Sequence, residues 1–298
     1  MSIGNKAPIS WYGGKTFLSN YIVSLMPRHG CYCEVFGGSG AVLFAKDPSK
    51  VEIYNDLNGW LVNLYRVIRE RPQELIDRLE MTPYSRTEYH RALDIYKKSQ
   101  HGLDGEIIDP VEKASLFFVI VKQAFNSTVG STWSYASTSS KGSSWRNAMD
   151  LIMPAHLRLR NVVIEEVTWK SLFERYDSKE TMWYLDPPYV HITRDDGATD
   201  AYEYEFSNED HTNLCWECSD LKGMVILSGY QNEIYNSILV EELGWEYKEV
   251  EVTCQSSFVP GQKVKPKRTE VLWLSPNVSE NTSQLIFELG VGDGKRYS

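Results

Sequence analysis

The sequence predicts an α/β protein built on a mostly parallel, doubly wound β-sheet, and three observations support this fold class. Short apolar runs recur along the chain with the character of buried parallel strands. Helical patterns separate most of these runs, as expected of successive β-α-β units. The last two runs instead follow each other across a loop rich in glycine, proline and lysine. We therefore expect a seven-stranded sheet that ends in a C-terminal β-hairpin.

The predicted strands and helices are spread over the whole chain. The runs that indicate parallel strands are residues 31–35, 51–55, 162–166, 182–186 and 224–228, and the two hairpin runs are residues 247–253 and 269–274. Helical patterns between them cover residues 40–45, 60–69 and 211–221. Strands that alternate with helices in this way are typical of a parallel sheet covered by helices.

The interval from about residue 70 to 155 interrupts this alternation. It contains helical patterns at residues 86–98 and 110–124, followed by a stretch rich in serine, threonine and glycine at residues 127–144. Such a block inside an alternating chain indicates an inserted, mainly helical subdomain. We predict one domain formed by residues 1–65 and 156–298, and a second formed by residues 66–155.

The charge of the chain is unevenly distributed. The formal net charge is −9, and residues 190–220 account for nearly all of it, since they contain nine acids against Arg194 alone. Local basic patches are sufficient for contacts to phosphates even in an acidic protein. Two such patches consist of Lys141, Arg146, Arg158 and Arg160, and of Lys263, Lys265, Lys267 and Arg268. Ordinary solvated loops would explain the same charges.

Hydropathy and cysteine usage indicate a cytoplasmic protein without a membrane partner. No apolar run approaches the length of a membrane span, and the N-terminus lacks a signal-peptide pattern. The five cysteines are an odd number, which argues against a disulfide framework. The pairs Cys31/Cys33 and Cys215/Cys218 are better explained as small core residues than as ligands of a metal. No metal is expected.

Residues 184–189 read Tyr-Leu-Asp-Pro-Pro-Tyr and end the fourth predicted strand. Neither Pro187 nor Pro188 has a backbone N–H, so the chain must leave the sheet at Asp186. In open α/β sheets, ligands bind at the carboxyl ends of the strands. A carboxylate, carbonyl groups without competing N–H donors and the ring of Tyr189 suit a flat heterocycle that bears an amino group. A strand-ending turn with a packed tyrosine is the alternative.

The first predicted strand runs into Phe36-Gly-Gly-Ser-Gly40, and the second is followed by Asp56. Glycines allow a tight turn and a close approach of the backbone to a ligand. An acid after the second strand can hold ribose hydroxyls, as in dinucleotide-binding folds. Leu43 stands where the third glycine of a dinucleotide fingerprint is expected. The loop therefore indicates an adenosine-bearing cofactor rather than a nicotinamide dinucleotide.

A second glycine-containing segment, Trp11-Tyr-Gly-Gly-Lys15-Thr, lies near the N-terminus. Its Gly-Lys-Thr ending is similar to that of a phosphate-binding loop. However, Ile9 replaces the required first glycine, and no predicted strand leads into the segment. An ATPase is therefore rejected.

The chain resembles the D12-class, alpha-group adenine-N6 DNA methyltransferases from about residue 8 to 275. The motifs that carry the resemblance stand in the family's order, and they are Trp11-x-Gly-Gly-Lys15, Phe36-Gly-Gly-Ser-Gly40, Asp56, Ala114-x-x-Phe-Phe118 with Phe125-Asn126, Asp186-Pro-Pro-Tyr189, and Glu209-Asp-His211-x-x-Leu214. Ser127 replaces a glycine that is common in the family. The resemblance implies a Rossmann-like class I methyltransferase fold, S-adenosyl-L-methionine as cofactor and double-stranded DNA as partner.

The resemblance also implies roles for individual residues. The catalytic residues are expected to be Asp186, Pro187, Pro188 and Tyr189, with a flipped adenine stacked on Tyr189 and its amino group bonded to the Asp186 carboxylate and the Pro187 carbonyl. The residues expected to bind S-adenosylmethionine are Trp11, Tyr12, Gly14, Lys15, Phe36, Gly38, Ser39, Gly40, Asp56, Trp169 and Asp186.

Contacts to DNA are expected from the insert and from the basic loop of the C-terminal hairpin. A hairpin rich in serine and glycine can enter a groove, while lysine and arginine fix the register on phosphates. The residues assigned to DNA are Lys122, Asn126, Trp133, Tyr135, Lys141, Trp145, Arg146, Lys263, Lys265, Lys267 and Arg268. A flexible surface loop with packed aromatic rings is the alternative for each of them.

These inferences predict a site-specific DNA methyltransferase that uses base flipping and acts as a monomer or weak dimer, in a restriction–modification system or another form of DNA methylation. Three rival functions stay open at this point. The chain could methylate another planar amine or amide, such as cytosine N4, RNA adenine or a protein glutamine. It could also be a non-catalytic DNA-binding relic, or a nicotinamide-dependent oxidoreductase.

Overall fold

The computed structural model describes residues 6–11, 13–100, 108–136, 140–189, 206–253 and 267–279. Three of the predicted binding residues, Tyr12, Lys263 and Lys265, lie outside the described residues. The same holds for residues 190–205, which contain part of the acidic stretch.

The seven described strands form one mixed sheet in the order β3-β2-β1-β4-β5-β7-β6. They are β1 (Cys31–Glu34), β2 (Val51–Asn55), β3 (Val162–Glu165), β4 (Thr181–Leu185), β5 (Met224–Tyr230), β6 (Glu246–Thr253) and β7 (Lys267–Leu274). The pairs β1–β4, β2–β3 and β4–β5 are parallel, whereas β5–β7 and β6–β7 are antiparallel. The prediction of a mostly parallel seven-stranded sheet with a C-terminal hairpin is therefore confirmed.

The five predicted helices are each found to within a few residues, and the described residues contain further helices that were not predicted from the sequence. They are α1 (Ser19–Ser24), α2 (Ala41–Ala45), α3 (Gly59–Glu70), α4 (Pro72–Glu80), α5 (Arg86–Gln100), α6 (Pro110–Gln123), α7 (Lys141–Met149), α8 (Ile152–Leu159), α9 (Trp169–Tyr176), α10 (Asn208–Ser219) and α11 (Glu233–Tyr235), which continues as a π-helix over Asn236–Glu242. None of the helices in the described ranges is long and apolar enough to cross a membrane.

Helix α7 differs from the predicted loop over residues 127–144. The side chain of Ser140 accepts a hydrogen bond from the backbone N–H of Ser143 and so caps the first turn. Ser140, which the composition of the segment assigns to a loop, is therefore the N-cap of a helix. The loop character holds at Gly130, whose φ of 83° lies in the left-handed region.

The chain forms two compact units, each with its own buried core. One comprises the residues up to Ser19 together with Phe36–Val167, and its largest fully buried side chains include Leu43, Phe44, Tyr65, Phe117 and Phe118. The other comprises Asn20–Val35 and the described residues from Thr168 onward, with Tyr32, Trp183, Tyr184, Leu227 and Trp273 in its core. The functional boundaries predicted at residues 65/66 and 155/156 stay a prediction.

Candidate active site

The glycine loop after β1 is held by hydrogen bonds from its backbone to the end of β2. The N–H of Gly37 donates to the carbonyl of Asn55 at 2.7 Å, and the N–H of Gly40 donates to the carbonyl of Gly37 at 2.7 Å. Gly38 and Gly40 have φ values of 49° and 65°, which favour glycine. A Cβ atom at Gly37 would lie 2.3 Å from the ring of Tyr54. The loop can therefore take this shape only with glycines.

Asp56 connects this loop to the start of α3. Its Oδ2 atom accepts a hydrogen bond from the N–H of Gly38 at 2.8 Å, and its Oδ1 atom accepts one from the N–H of Asn58 at 2.9 Å. Asn58 in turn caps α3 through the N–H groups of Trp60 and Leu61. Asp56 thus shapes both the glycine loop and the start of α3.

Two buried tyrosines also hold the loop, and the sequence reasoning missed both. The hydroxyl of Tyr54 donates to the carbonyl of Gly38 at 2.7 Å, and the hydroxyl of Tyr65 donates to the carbonyl of Ser39 at 2.6 Å. Their rings pack against each other with centroids 4.6 Å apart. The only signal in the sequence is that tyrosines occur in the second strand and the third helix.

The N-terminal segment lies against the same loop. The N–H of Gly14 donates to the carbonyl of Trp11 at 3.0 Å, and a Cβ atom on Gly38 would lie 2.9 Å from the Cδ1 atom of Trp11. The ammonium of Lys15, which is 5% exposed, donates to the carbonyl of Gly13 at 3.2 Å. Phe36 is half-buried. The structure thus brings together the described residues that were predicted to bind the cofactor from this part of the chain.

Trp169 was also assigned to the cofactor, and it begins α9. Its indole N–H donates to the carboxylate of Glu217 at 2.7 Å, and its ring packs against Phe206 with centroids 5.0 Å apart. Thr168 caps the helix by accepting a hydrogen bond from the N–H of Ser171. These contacts fix the orientation of the indole ring.

Asp186 follows the last residue of β4, as the two prolines require. The hydroxyl of Ser228 on β5 donates a hydrogen bond to the Oδ1 atom of Asp186 at 2.9 Å. Asp186 is half-buried, whereas Ser228 is fully buried. Pro187 is buried and Pro188 is half-buried. The carboxylate is therefore displayed at a strand end with one oxygen already bound to the protein.

The ring of Tyr189 is packed and bonded on the same side of the fold. Its hydroxyl donates to the carboxylate of Glu270 on β7 at 3.3 Å, and its ring lies 4.4 Å from that of Tyr230 at an interplanar angle of 31°. Arg268 donates to the hydroxyl of Tyr230 at 3.3 Å. Arg268 was assigned to DNA from the sequence, and the structure places it beside this aromatic pair. Sequence reasoning did not find Ser228, Tyr230 or Glu270, because their roles depend on strand register.

Trp133 and Tyr135 form part of an aromatic stack in the insert. The ring of Trp133 lies 5.5 Å from that of Tyr84 and 6.5 Å from that of Tyr135, and the guanidinium of Arg86 lies 5.1 Å from its centroid. Tyr135 is 76% exposed. The carbonyl of Ser134 accepts a hydrogen bond from the hydroxyl of Tyr84, which fixes the segment. The stack therefore ends in an exposed ring.

The remaining residues that were assigned to DNA are placed differently from one another. Lys141 begins α7 and is half-buried, while Arg146 on the same helix is exposed. Trp145 is buried and its indole N–H donates to the carbonyl of Thr82 at 3.1 Å, so it serves the packing of the insert. Asn126 lies in a 3₁₀ turn, and Lys267 begins β7.

Lys122 lies in the last turn of α6, with its ammonium 5.9 Å from the centroid of Phe118. Burial lowers the pKa of this ammonium from its ordinary 10.5 to about 8. The desolvated side chain therefore loses its charge closer to neutral pH than a surface lysine does.

Arg158 does not belong to a surface basic patch. It is almost completely buried and forms an ion pair with Glu52, which also accepts a hydrogen bond from Lys46 at 2.7 Å. Burial opposes ionisation of Glu52, but hydrogen bonds and charges from Arg158 and Lys46 outweigh it and lower the pKa of the carboxyl. The charge count alone could not show this, because the partner carboxylate is distant in the sequence.

A family model described as D12 class N6 adenine-specific DNA methyltransferase matches residues 11–254. The chain belongs to this family. A Type II methyltransferase, M1.LlaDCHI of Lactococcus lactis subsp. cremoris, is 29% identical over 246 residues, which are 78% of this chain and 82% of that protein. A DNA adenine methylase of Escherichia coli (strain K12) is 29% identical over 126 residues, which are 41% of this chain and 42% of that protein.

Among solved structures, an rRNA methylase from Streptococcus thermophilus aligns with a TM-score of 0.32 and 9% identity over 88% of this chain and 97% of that chain. This alignment is too loose to support an argument about the site. Membership of the D12 class rests on the family model, whose match includes the glycine loop, Asp56 and Asp186.

Proposed function

We propose that this D12-class methyltransferase transfers a methyl group from S-adenosyl-L-methionine to the exocyclic amino group of adenine in double-stranded DNA, at a specific sequence. The observation that carries the proposal is the placement of Asp186 at the carboxyl end of β4, with Ser228 bonded to one carboxylate oxygen. Tyr189 comes directly after the two prolines. Its hydroxyl donates to Glu270, and its ring packs against Tyr230.

The glycine loop and Asp56 are proposed to bind the methyl donor. The residues fit such a group, because Gly38 and Gly40 give the loop a tight turn that lets its backbone approach a ligand, and because a carboxylate such as that of Asp56 suits ribose hydroxyls. When bound, S-adenosylmethionine supplies an electrophilic methyl group on a sulfonium. Trp11, Gly14 and Lys15 are proposed to close this pocket from the N-terminal side.

Asp186 and Pro187 are proposed to hold the amino group of the acceptor base. The lone pair of adenine N6 is conjugated into the ring, so the nitrogen is a poor nucleophile. Hydrogen bonds to the Asp186 carboxylate and to the Pro187 carbonyl favour a pyramidal nitrogen and direct its lone pair toward the methyl carbon. Catalysis then consists mainly of positioning and of electrostatic stabilisation.

The base has to leave the duplex to reach these groups, which costs a few kcal/mol of unstacking. Tyr189 is proposed to compensate part of this cost by stacking on the extruded base. The side chain of Tyr189 is 8% exposed, and Glu270 and Tyr230 hold its ring in a fixed orientation.

The insert of residues 66–155 is proposed to contact the duplex. The supporting features are the exposed ring of Tyr135 at the end of the aromatic stack and the basic side chains of Lys122, Lys141 and Arg146. Arg268 and the lysines before it are proposed as a second group of phosphate contacts. We expect the enzyme to act as a monomer or weak dimer, since each protomer supplies both motif groups.

The test is to incubate the protein with methyl-labelled S-adenosylmethionine and mixed-sequence duplex DNA, then to digest the DNA and identify labelled nucleosides by mass spectrometry. We expect N6-methyladenine. Asp186→Ala is expected to lower kcat by at least about 10³-fold while the protein stays folded and binds the donor. Labelled N4-methylcytosine, or label found only in parallel incubations with RNA or with a glutamine-containing protein, would replace the proposed acceptor. A folded protein that binds the donor but methylates none of these substrates would overturn the proposal.

A further inference from the structure

Three residues on the two central strands form a chain of hydrogen bonds that ends on the catalytic carboxylate. The hydroxyl oxygens of Tyr184 and Ser228 are 2.9 Å apart, and the Ser228 hydroxyl lies 2.9 Å from the Oδ1 atom of Asp186. The register of β4 and β5 brings Asp186 and Ser228 next to each other. Leu185 on β4 pairs with Leu227 on β5, and Asp186 and Ser228 are the residues that follow.

The direction of the chain follows from the chemistry of its members. An ionised carboxylate only accepts hydrogen bonds, so Ser228 donates to Asp186. A serine hydroxyl has a single proton, and therefore Tyr184 must be the donor in its bond to Ser228. The carbonyl of Leu185 is a longer alternative acceptor for Ser228, at 3.3 Å. The donation from Tyr184 holds the Ser228 oxygen so that its proton is directed at Asp186.

Burial makes the chain sensitive to the loss of either hydroxyl. Tyr184 is 1% exposed and Ser228 is 0% exposed. Bulk water therefore cannot take the place of a hydroxyl that is removed. A hydrogen bond to a charged group contributes more than one between neutral groups, and its partner left unsatisfied pays a desolvation penalty.

We infer that Ser228 and Tyr184 are positioning residues for the methyl transfer, which hold the Asp186 carboxylate in the orientation that accepts the amino group of the base. Neither residue touches the substrate. Both act through Asp186, by fixing the rotation of its carboxylate about the Cβ–Cγ bond. This inference rests on the proposed function, since it assigns the two residues to that same site.

The inference predicts that the rate of methyl transfer falls while binding is unchanged. Ser228→Ala is expected to lower the single-turnover rate about 10- to 100-fold, which corresponds to the loss of one hydrogen bond to a charged group. Tyr184→Phe keeps the ring and removes only the hydroxyl, so a smaller loss of about 3- to 10-fold is expected. The Kd for S-adenosylmethionine and the Kd for duplex DNA should stay within about twofold, since neither hydroxyl contacts a ligand.

The experiment compares these two variants with Ser228→Thr, Ser228→Cys and Thr181→Val in the same chain. Ser228→Thr retains the hydroxyl and should restore most of the rate; if its extra methyl prevents folding, Ser228→Cys, with a weaker donor of similar size, should give a rate between those of alanine and serine. Thr181→Val is the matched control, because Thr181 is also fully buried on β4 but its hydroxyl donates to the carbonyl of Tyr176, at the end of the strand opposite Asp186. It should lower thermal stability without lowering the rate.

The outcomes separate this inference from the proposed function. A wild-type protein that methylates no adenine overturns the function, whatever the variants do. An active wild type with an equally active Ser228→Ala overturns the role of Ser228 alone. Loss of rate in Thr181→Val equal to that in Tyr184→Phe would show a general effect of a missing buried hydroxyl, and would overturn the role of Tyr184.

Discussion

The backbone N–H of Gly38 donates a hydrogen bond to the Oδ2 atom of Asp56 at 2.8 Å, although 18 positions separate the two residues in the chain. Asp56 also accepts from the N–H of Asn58. One carboxylate thus joins the glycine loop to the cap of α3. The residue predicted to bind a ribose is at the same time the residue that shapes the loop around it.

Replacing Asp56 should therefore disturb donor binding in two ways. Asp56→Ala removes the acceptor for ribose hydroxyls and leaves the N–H of Gly38 without its partner, so the affinity for S-adenosylmethionine should fall more than about 10-fold. Isothermal titration calorimetry measures this affinity. Asp177→Ala is the control, because Asp177 accepts from the N–H groups of Lys222 and Gly223 in the same manner but outside the loop. Equal donor affinity in wild type and Asp56→Ala would contradict the assignment.

Gly37 cannot carry a side chain without displacing its neighbours. A Cβ atom there would lie 2.3 Å from the ring of Tyr54 and 2.8 Å from the carbonyl oxygen of Asn55. Gly37→Ala should lower the free energy of unfolding by about 1–3 kcal/mol, as overpacking does, and weaken donor binding. Urea denaturation gives the first quantity. Gly142→Ala, in α7 where an added Cβ atom would meet no atom within 4 Å beyond its chain neighbours and its own helix backbone, should be neutral or stabilising by up to about 1 kcal/mol.

Lys122 should give DNA binding a dependence on pH. Its pKa of about 8 means that the side chain is mostly charged at pH 7 and mostly neutral at pH 9. If it contacts a phosphate, the slope of log K against log salt should decrease in magnitude by about 1 between these two pH values. Fluorescence anisotropy with a labelled duplex measures the slope. Lys122→Arg keeps its charge throughout, so its slope should not change with pH.

The lowered pKa of Lys122 also makes the stability of the protein depend on pH. The direction is opposite to that for a lysine whose pKa is raised by an ion-pair partner. The unfolded chain binds the proton more tightly, with a pKa of 10.5 against about 8 in the folded protein. The contribution of Lys122 to the free energy of unfolding should therefore rise with pH between about 8 and 10.5. Lys122→Met should lack this rise. If the free energy of unfolding changes with pH in the same way in the wild type and in Lys122→Met, burial does not lower the pKa of Lys122.

Ser127 adopts a φ of 55°, in the left-handed region where glycine is favoured. Ser127→Gly relieves a cost of about 1–2 kcal/mol and adds about 0.5–1 kcal/mol of unfolded-state entropy, so it should stabilise the protein by about 0.5–1 kcal/mol. Thr128→Gly is the control, because Thr128 has a φ of −91° and gains nothing from glycine. Its free energy of unfolding should fall. Urea denaturation measures both changes, and a Ser127→Gly variant that is destabilised as much as Thr128→Gly would contradict the prediction.

The strands and five of the helices could be predicted because their apolar periodicity is local. The end of β4 followed from the two prolines alone, and the helix at residues 86–98 followed from its spacing. Helix α7 could not be predicted, since the composition around Ser140 reads as a loop until the serine is seen to cap the first turn.

The site residues that lie in one continuous motif could be predicted from the sequence. Those whose role depends on contacts between distant parts of the chain could not. Asp186 and the glycine loop are contiguous strings, so their chemistry could be read directly. Ser228 reaches Asp186 only through the register of β4 and β5. Arg158 looked like a surface charge because Glu52, its buried partner, is more than a hundred positions away.

Strand β7 lies between β5 and β6, although it is the last of the seven strands to be synthesised. Until Lys267–Leu274 has left the ribosome, β5 lacks its antiparallel neighbour and Tyr189 lacks the carboxylate of Glu270. A nascent chain therefore carries the complete Asp186 motif before it carries the residue that holds its tyrosine. Premature termination between residues 190 and 266 would therefore yield a fragment that contains Asp186 and Tyr189 but lacks the carboxylate that holds the tyrosine hydroxyl.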